Sequence, residues 1–87
     1  MSEVLRELVA EIAAAPGSAS ALTLYSLMAT FEHEHAGCLF KLIKLRDLSA
    51  DQRTMAYRLM ELMAQQGNRG HDWQRAKKEA DALIRRG

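Results

Sequence analysis

Apolar residues return at helical spacing in four stretches of the chain, and nowhere does apolar–polar alternation persist long enough to suggest a strand. Over residues 3–14, Leu5, Leu8 and Ile12 form one stripe, bordered by Val4 and Val9. Glutamates crowd this first segment, where carboxylates suit the positive end of a helix dipole. Ala-Pro-Gly-Ser at 15–18 ends it, because Pro16 disfavours helix at Ala15 and Gly17 frees the turn. Ser18 or Ser20 then offers a cap for the next helix.

The second stretch has the longest apolar phase. Leu24, Met28, Phe31, His35, Cys38, Leu42 and Leu45 recur at spacings of 4, 3, 4, 3, 4 and 3, a heptad pattern held for three heptads. Leu27, Leu39 and Ile43 widen it on both flanks. A continuous helix from Ala19 to Arg46 would be about 40 Å long. Gly37 stands against continuity, since an interior glycine costs about 1 kcal/mol. The apolar phase nevertheless passes Gly37 without a slip, so one long helix is expected, with a break at 36–38 as the alternative.

Asp47-Leu48-Ser49 ends that segment, and Ser49 with Gln52 has capping-box spacing that opens a third helix at Ala50. Met55, Leu59, Leu62 and Met63 form its stripe, flanked by Ala56 and Met60. Gln66-Gly67-Asn68-Arg69-Gly70 is rich in residues that tolerate positive φ and forms a turn. The fourth helix spans 72–85, with Trp73, Ala76, Ala80 and Leu83 on one seam and Ile84 beside it. The expected fold is therefore all-α: a small four-helix bundle with a long second helix, one domain over residues 1–87, completed by homo-oligomerisation.

Composition supports a folded chain but a thin core. Of the 87 residues 48% are hydrophobic, above the range of disordered chains. A domain of this size buries only about 60–65% of its unfolded surface. The single cysteine forbids an internal disulfide and suggests a reducing compartment. Nothing approaches an apolar run of about 18 residues, and the acidic start is unlike the basic region of a signal peptide. A cytoplasmic protein is expected.

The formal net charge of +1 hides an uneven distribution. Residues 1–35 carry five glutamates against Arg6 alone, whereas residues 36–87 carry eleven Lys/Arg against six Asp/Glu. Such polarity favours head-to-tail or antiparallel self-association, or a partner surface on the basic end.

Three constellations suggest chemistry. Glu32 and His35 lie three apart, a spacing similar to the Glu-x-x-His pairs of ferritin-like di-iron bundles, and Cys38 follows one turn on. A dimer would double this set. The further inward glutamates of a di-iron site are missing, because Glu61 falls on the polar side of its helix. His35 then reads as a polar residue in an apolar seam, and Cys38 as a small buried hydrophobe. Arg69, Arg75, Lys77 and Lys78 form a basic surface around the last turn and helix. Asp72, Glu79 and Asp81 interrupt it, and Arg75–Glu79, Lys77–Asp81 and Lys78–Asp81 have the spacing of helical ion pairs. Met28, Met55, Met60 and Met63 can fill a core or line an adaptable groove. Phosphate loops, Ser-His-Asp sets and CxxC pairs are absent from the sequence.

These patterns lead to the expectation of a non-enzymatic helical module without a cofactor. It self-associates through the Leu24–Leu45 seam and binds a partner protein, in a regulatory or scaffolding role, through the basic end. A small DNA- or RNA-binding regulator using the same basic helix is one alternative. A metal-binding bundle at Glu32, His35 and Cys38 is the other.

Overall fold

A computed structural model describes residues 3–32, 42–67 and 70–86 of the chain. They form α1 (Glu3–Ala14), α2 (Ala19–Glu32), a 3₁₀ turn η1 (Leu42–Asp47), α3 (Ala50–Gln66) and α4 (His71–Arg86). Among the described residues the architecture is all-α, as the periodicity implies.

Local chemistry sets the helix ends. Ser18 caps α2: its Oγ accepts from the Ala21 amide at 3.1 Å and donates to the Ala15 carbonyl at 2.7 Å. At α3 the capping box is complete, with Ser49 Oγ accepting from the Gln52 amide and Gln52 Oε1 accepting from the Ser49 amide. Gly67 closes α3 at φ 76°, ψ −167°, a region essentially reserved for glycine, while its amide donates to the Met63 carbonyl at 2.9 Å.

Polar contacts between helices define their directions. Gln52 Nε2 donates to Glu11 Oε1 at 2.9 Å, and Arg58 Nη1 lies 2.7 Å from Glu7 Oε2, so α1 and α3 run antiparallel. Gln52 Nε2 also donates to Ser20 Oγ at 3.3 Å, which places the starts of α2 and α3 side by side. Phe31 packs on Trp73, with ring centroids 6.1 Å apart, while Tyr25 meets Lys77 and Asp81, so α2 and α4 are antiparallel. η1, the described part of the connection that returns the chain from α2 to the start of α3, packs against α2 near Thr23.

The long second helix is therefore corrected. Thr23 Oγ1 donates to Asp47 Oδ2 at 3.5 Å, although a straight helix would hold residues 24 apart at about 36 Å. A helix of about 40 Å would also exceed the 27 Å long axis of the molecule. Gly37 itself lies outside the described residues.

The core is built within one chain. Leu5, Leu8 and Ile12 of α1, Leu24 and Met28 of α2, and Leu59 of α3 are its largest fully buried side chains. Ala56, Ala76 and Ala80 are equally buried, and their small size lets α3 and α4 approach the aliphatic residues closely. Leu48, just after η1, is buried and anchors the returning segment. The heptad stripe is consequently divided. Leu24 and Met28 have no exposed surface to offer a second chain, Phe31 is partly buried beside Trp73, and Leu45 packs partly against the core. Leu42, by contrast, is 74% exposed. Among the described residues the stripe is not one open seam, because its first half is already covered by α1, α3 and α4.

Candidate interaction surface

Three regions contain the residues that the sequence marks for function: the return segment, the basic last helix and the end of α2. They have different fates in the fold.

Glu32 closes α2, but its side chain lies outside the described residues, as do His35, Cys38 and Arg69. Glu61 is exposed and accepts from Gln65 Nε2 at 2.9 Å, on the polar side where the helical phase puts it. No group of metal-ligating side chains occurs among the described residues.

On α4, Arg75 and Lys78 are exposed, whereas Lys77 is withdrawn from the surface. Lys77 Nζ lies 2.9 Å from Asp81 Oδ1 and 3.5 Å from the Tyr25 hydroxyl oxygen, and 5.0 Å above the Tyr25 ring. The Lys77 side chain is only 13% exposed. Tyr25 in turn donates its hydroxyl to Asp81. The sequence spacing anticipates the Lys77–Asp81 pair. Tyr25 arrives from a different helix and carries no local signal. Lys77 is thus removed from the proposed partner surface: its charge is spent inside the bundle, fastening α4 to α2.

Asp81 is the centre of this cluster, accepting from both the Tyr25 hydroxyl and the Lys77 ammonium. The hydrogen bond to Asp81, reinforced by burial, raises the Tyr25 hydroxyl above its ordinary pKa. Burial opposes the Lys77 ammonium, but Asp81 and Tyr25 outweigh it and raise its pKa. Burial likewise opposes the Asp81 carboxylate, yet hydrogen bonds from Tyr25 and Lys77 hold its pKa below the usual range. A depressed carboxylate pKa contributes stability above the unfolded value near 3.9, lost as pH falls through the folded value. Raised Tyr and Lys values contribute below about pH 10 and are lost as pH rises through their folded values. Asp81→Asn is expected to cost about 1–2 kcal/mol at pH 7. In parallel acid titrations of stability, the difference between the two proteins should shrink below about pH 4. A pH-independent difference would refute the ionic role of Asp81.

In the return segment, where the sequence pattern marks Leu42 and Leu45 for an oligomer seam with Ile43 on its flank, Leu45 packs partly against the core and Leu42 and Ile43 stay exposed. In η1, Leu42 and Ile43 are 74% and 63% exposed, beside the exposed Lys44 and Arg46. Six residues is long for a 3₁₀ helix, whose hydrogen bonds have poorer geometry than those of an α-helix. Its position is fixed instead by Leu48 in the core, the Thr23–Asp47 contact and Arg53 Nη1, which donates to the Leu48 carbonyl at 2.9 Å. Two branched aliphatic side chains are thereby held in water just ahead of two cations in the sequence, of which Lys44 lies 4.0 Å from Asp47 Oδ2. This combination can bury apolar surface against a partner and pair with its carboxylates.

Among the described residues, no helix is long and apolar enough to cross a membrane. Neither a family model, nor a curated protein, nor a solved structure matches the chain.

Proposed function

We propose that the chain is a non-enzymatic helical docking module, serving a regulatory or scaffolding role, that holds an acidic, amphipathic protein surface. The exposure of Leu42 and Ile43, next to Lys44 and Arg46 on an anchored turn, carries this reading. Aliphatic anchors ringed by charge suit a protein interface, where the apolar centre supplies affinity and the rim supplies orientation. A phosphate-binding surface would be expected to replace the aliphatic pair by further donors. One six-residue turn is also a meagre membrane anchor, because interfacial helices bury a much longer apolar face.

Site-specific photo-crosslinking in the native host tests the assignment. A photoreactive residue at position 42 should give discrete protein adducts, and one at position 78, on the exposed face of α4, should not. Adducts from position 78 to nucleic acid, with none from position 42, would replace this reading by that of a nucleic-acid regulator. Equal labelling from both positions would deny η1 any special role.

A further inference from the structure

We infer that one occupant of the η1 turn is a second copy of this chain, which receives Leu42 and Ile43 in the acidic groove between α1 and α3. The inference rests on the docking role proposed for η1 and names the surface that meets it.

The groove lies between the first turn of α1 and the later half of α3, lined by Glu3, Val4, Arg58, Glu61, Leu62 and Gln65, with a volume of about 270 Å³. That is slightly below the roughly 300–1,000 Å³ of small-molecule sites and suits a pair of aliphatic side chains better than a cofactor. Its floor is apolar, from Val4 and Leu62, and its rim carries the exposed Glu3 and Glu61. The one cation in the lining, Arg58, already lies 2.7 Å from Glu7 Oε2, so its charge is answered within the chain. The groove therefore presents apolar surface under net negative charge, and η1 presents apolar surface followed by the exposed Arg46 and by Lys44, whose ammonium lies 4.0 Å from Asp47 Oδ2 of the same turn. A second groove, between α1 and α4, is lined by Val9, Ala13, Ala82 and Leu83 and carries one carboxylate, Glu79, against the two of the first. Charge complementarity selects the first.

The two surfaces sit at opposite ends of the bundle. Leu42–Asp47 leads into Ser49 at the start of α3, whereas Leu62 lies 13 residues further along that helix, about 20 Å away. The turn of one copy fills the groove of the next, so a single contact leaves one free turn and one free groove; these meet within the pair when the two copies pack antiparallel, and otherwise add copies in line or close a ring. With few anchors it belongs with small interfaces under about 1,200 Å², so assembly is expected only at high concentration and should weaken with salt.

Complementary defects test this directly. One variant carries Leu42→Asp and Ile43→Asp, which spoils the turn; the other carries Glu3→Lys and Glu61→Lys, which spoils the groove. All four side chains are exposed, and helical circular dichroism confirms that each variant folds. By sedimentation equilibrium from about 10 μM to about 1 mM, wild-type mass should climb above 9.8 kDa, with each variant alone remaining at 9.8 kDa. The equimolar mixture should reach twice that mass and stop, because the intact groove of one variant pairs with the intact turn of the other and nothing remains to extend the pair. A wild type that stays at 9.8 kDa at about 1 mM overturns the inference. So does a mixture that stays monomeric or grows beyond twice that mass. Crosslinks from position 42 to a different protein, alongside a monomeric wild type, would remove the second copy as occupant and leave the docking role standing. Absence of both would remove both.

Discussion

Leu24→Ala is expected to lower the stability of the protein by about 2–5 kcal/mol, the range for deleting a fully buried leucine side chain. Leu24 is 0% exposed in the centre of α2, in a cluster with Leu8, Met28 and Leu59. Total stability for 87 residues is on the order of 4–13 kcal/mol, so this one change removes a large share of it. The sole tryptophan, Trp73, reports on the same core, and denaturant unfolding followed by its fluorescence gives the midpoint directly. Leu42→Ala is the contrasting variant. Its side chain stands 74% exposed, and truncation should change stability by no more than about 0.5 kcal/mol. The loss at Leu24 should also be independent of protein concentration, as befits a core completed within one chain. If Leu24 instead belonged to a seam between chains, its effect would vary with concentration and Leu42→Ala would share it. Equal effects at the two positions would contradict the division of the heptad stripe.

That division shows where sequence reasoning has purchase and where it stops. The stripe Leu5–Leu8–Ile12, the Ser18 cap, the Ser49–Gln52 box and the Gly67 helix end are local patterns, and each appears in the fold where its spacing puts it. Helical phase also finds the buried half of α2. It misleads beyond Phe31 because Leu42 and Leu45, three apart, fit a 3₁₀ turn as well as they fit an α-helix. Nor does phase reveal whose surface covers a stripe. Leu24 and Met28 look like an oligomer seam until α1, α3 and α4 are seen to enclose them. The candidate site follows the same division. Lys77–Asp81 is readable from its i,i+4 spacing, but Tyr25, 52 residues from Lys77, joins only when α2 and α4 pack. The Gln52–Glu11 bond, spanning 41 residues, is hidden for the same reason. Exposure of Leu42 and Ile43 is equally a tertiary property, set by the return of the chain from the end of α2 to the start of α3.

Trp73→Ala should be as damaging as any core truncation, costing about 3–5 kcal/mol. The side chain is 3% exposed at the start of α4, tilted at 53° to the ring of Phe31 on α2. Such aromatic pairs add about 0.5–1.5 kcal/mol beyond the area they bury. Position matters as much as size. The other fully buried residues of α4 are Ala76 and Ala80, which permit close approach but contribute little area, while Leu83 and Ile84 are only partly buried. Among the described residues, Trp73 is therefore the large buried side chain of α4, close to Gly67 and Gly70. Trp73→Phe keeps a ring against Phe31 and should lose appreciably less than the alanine variant. Hydrogen exchange measured by mass spectrometry should find the first turns of α4 opening in Trp73→Ala before global unfolding. Acceleration should spread next to α1, which packs more extensively against α4 than against any other helix. Accelerated exchange confined to α3, with α4 unchanged, would show that Trp73 is not what fastens the last helix to the bundle.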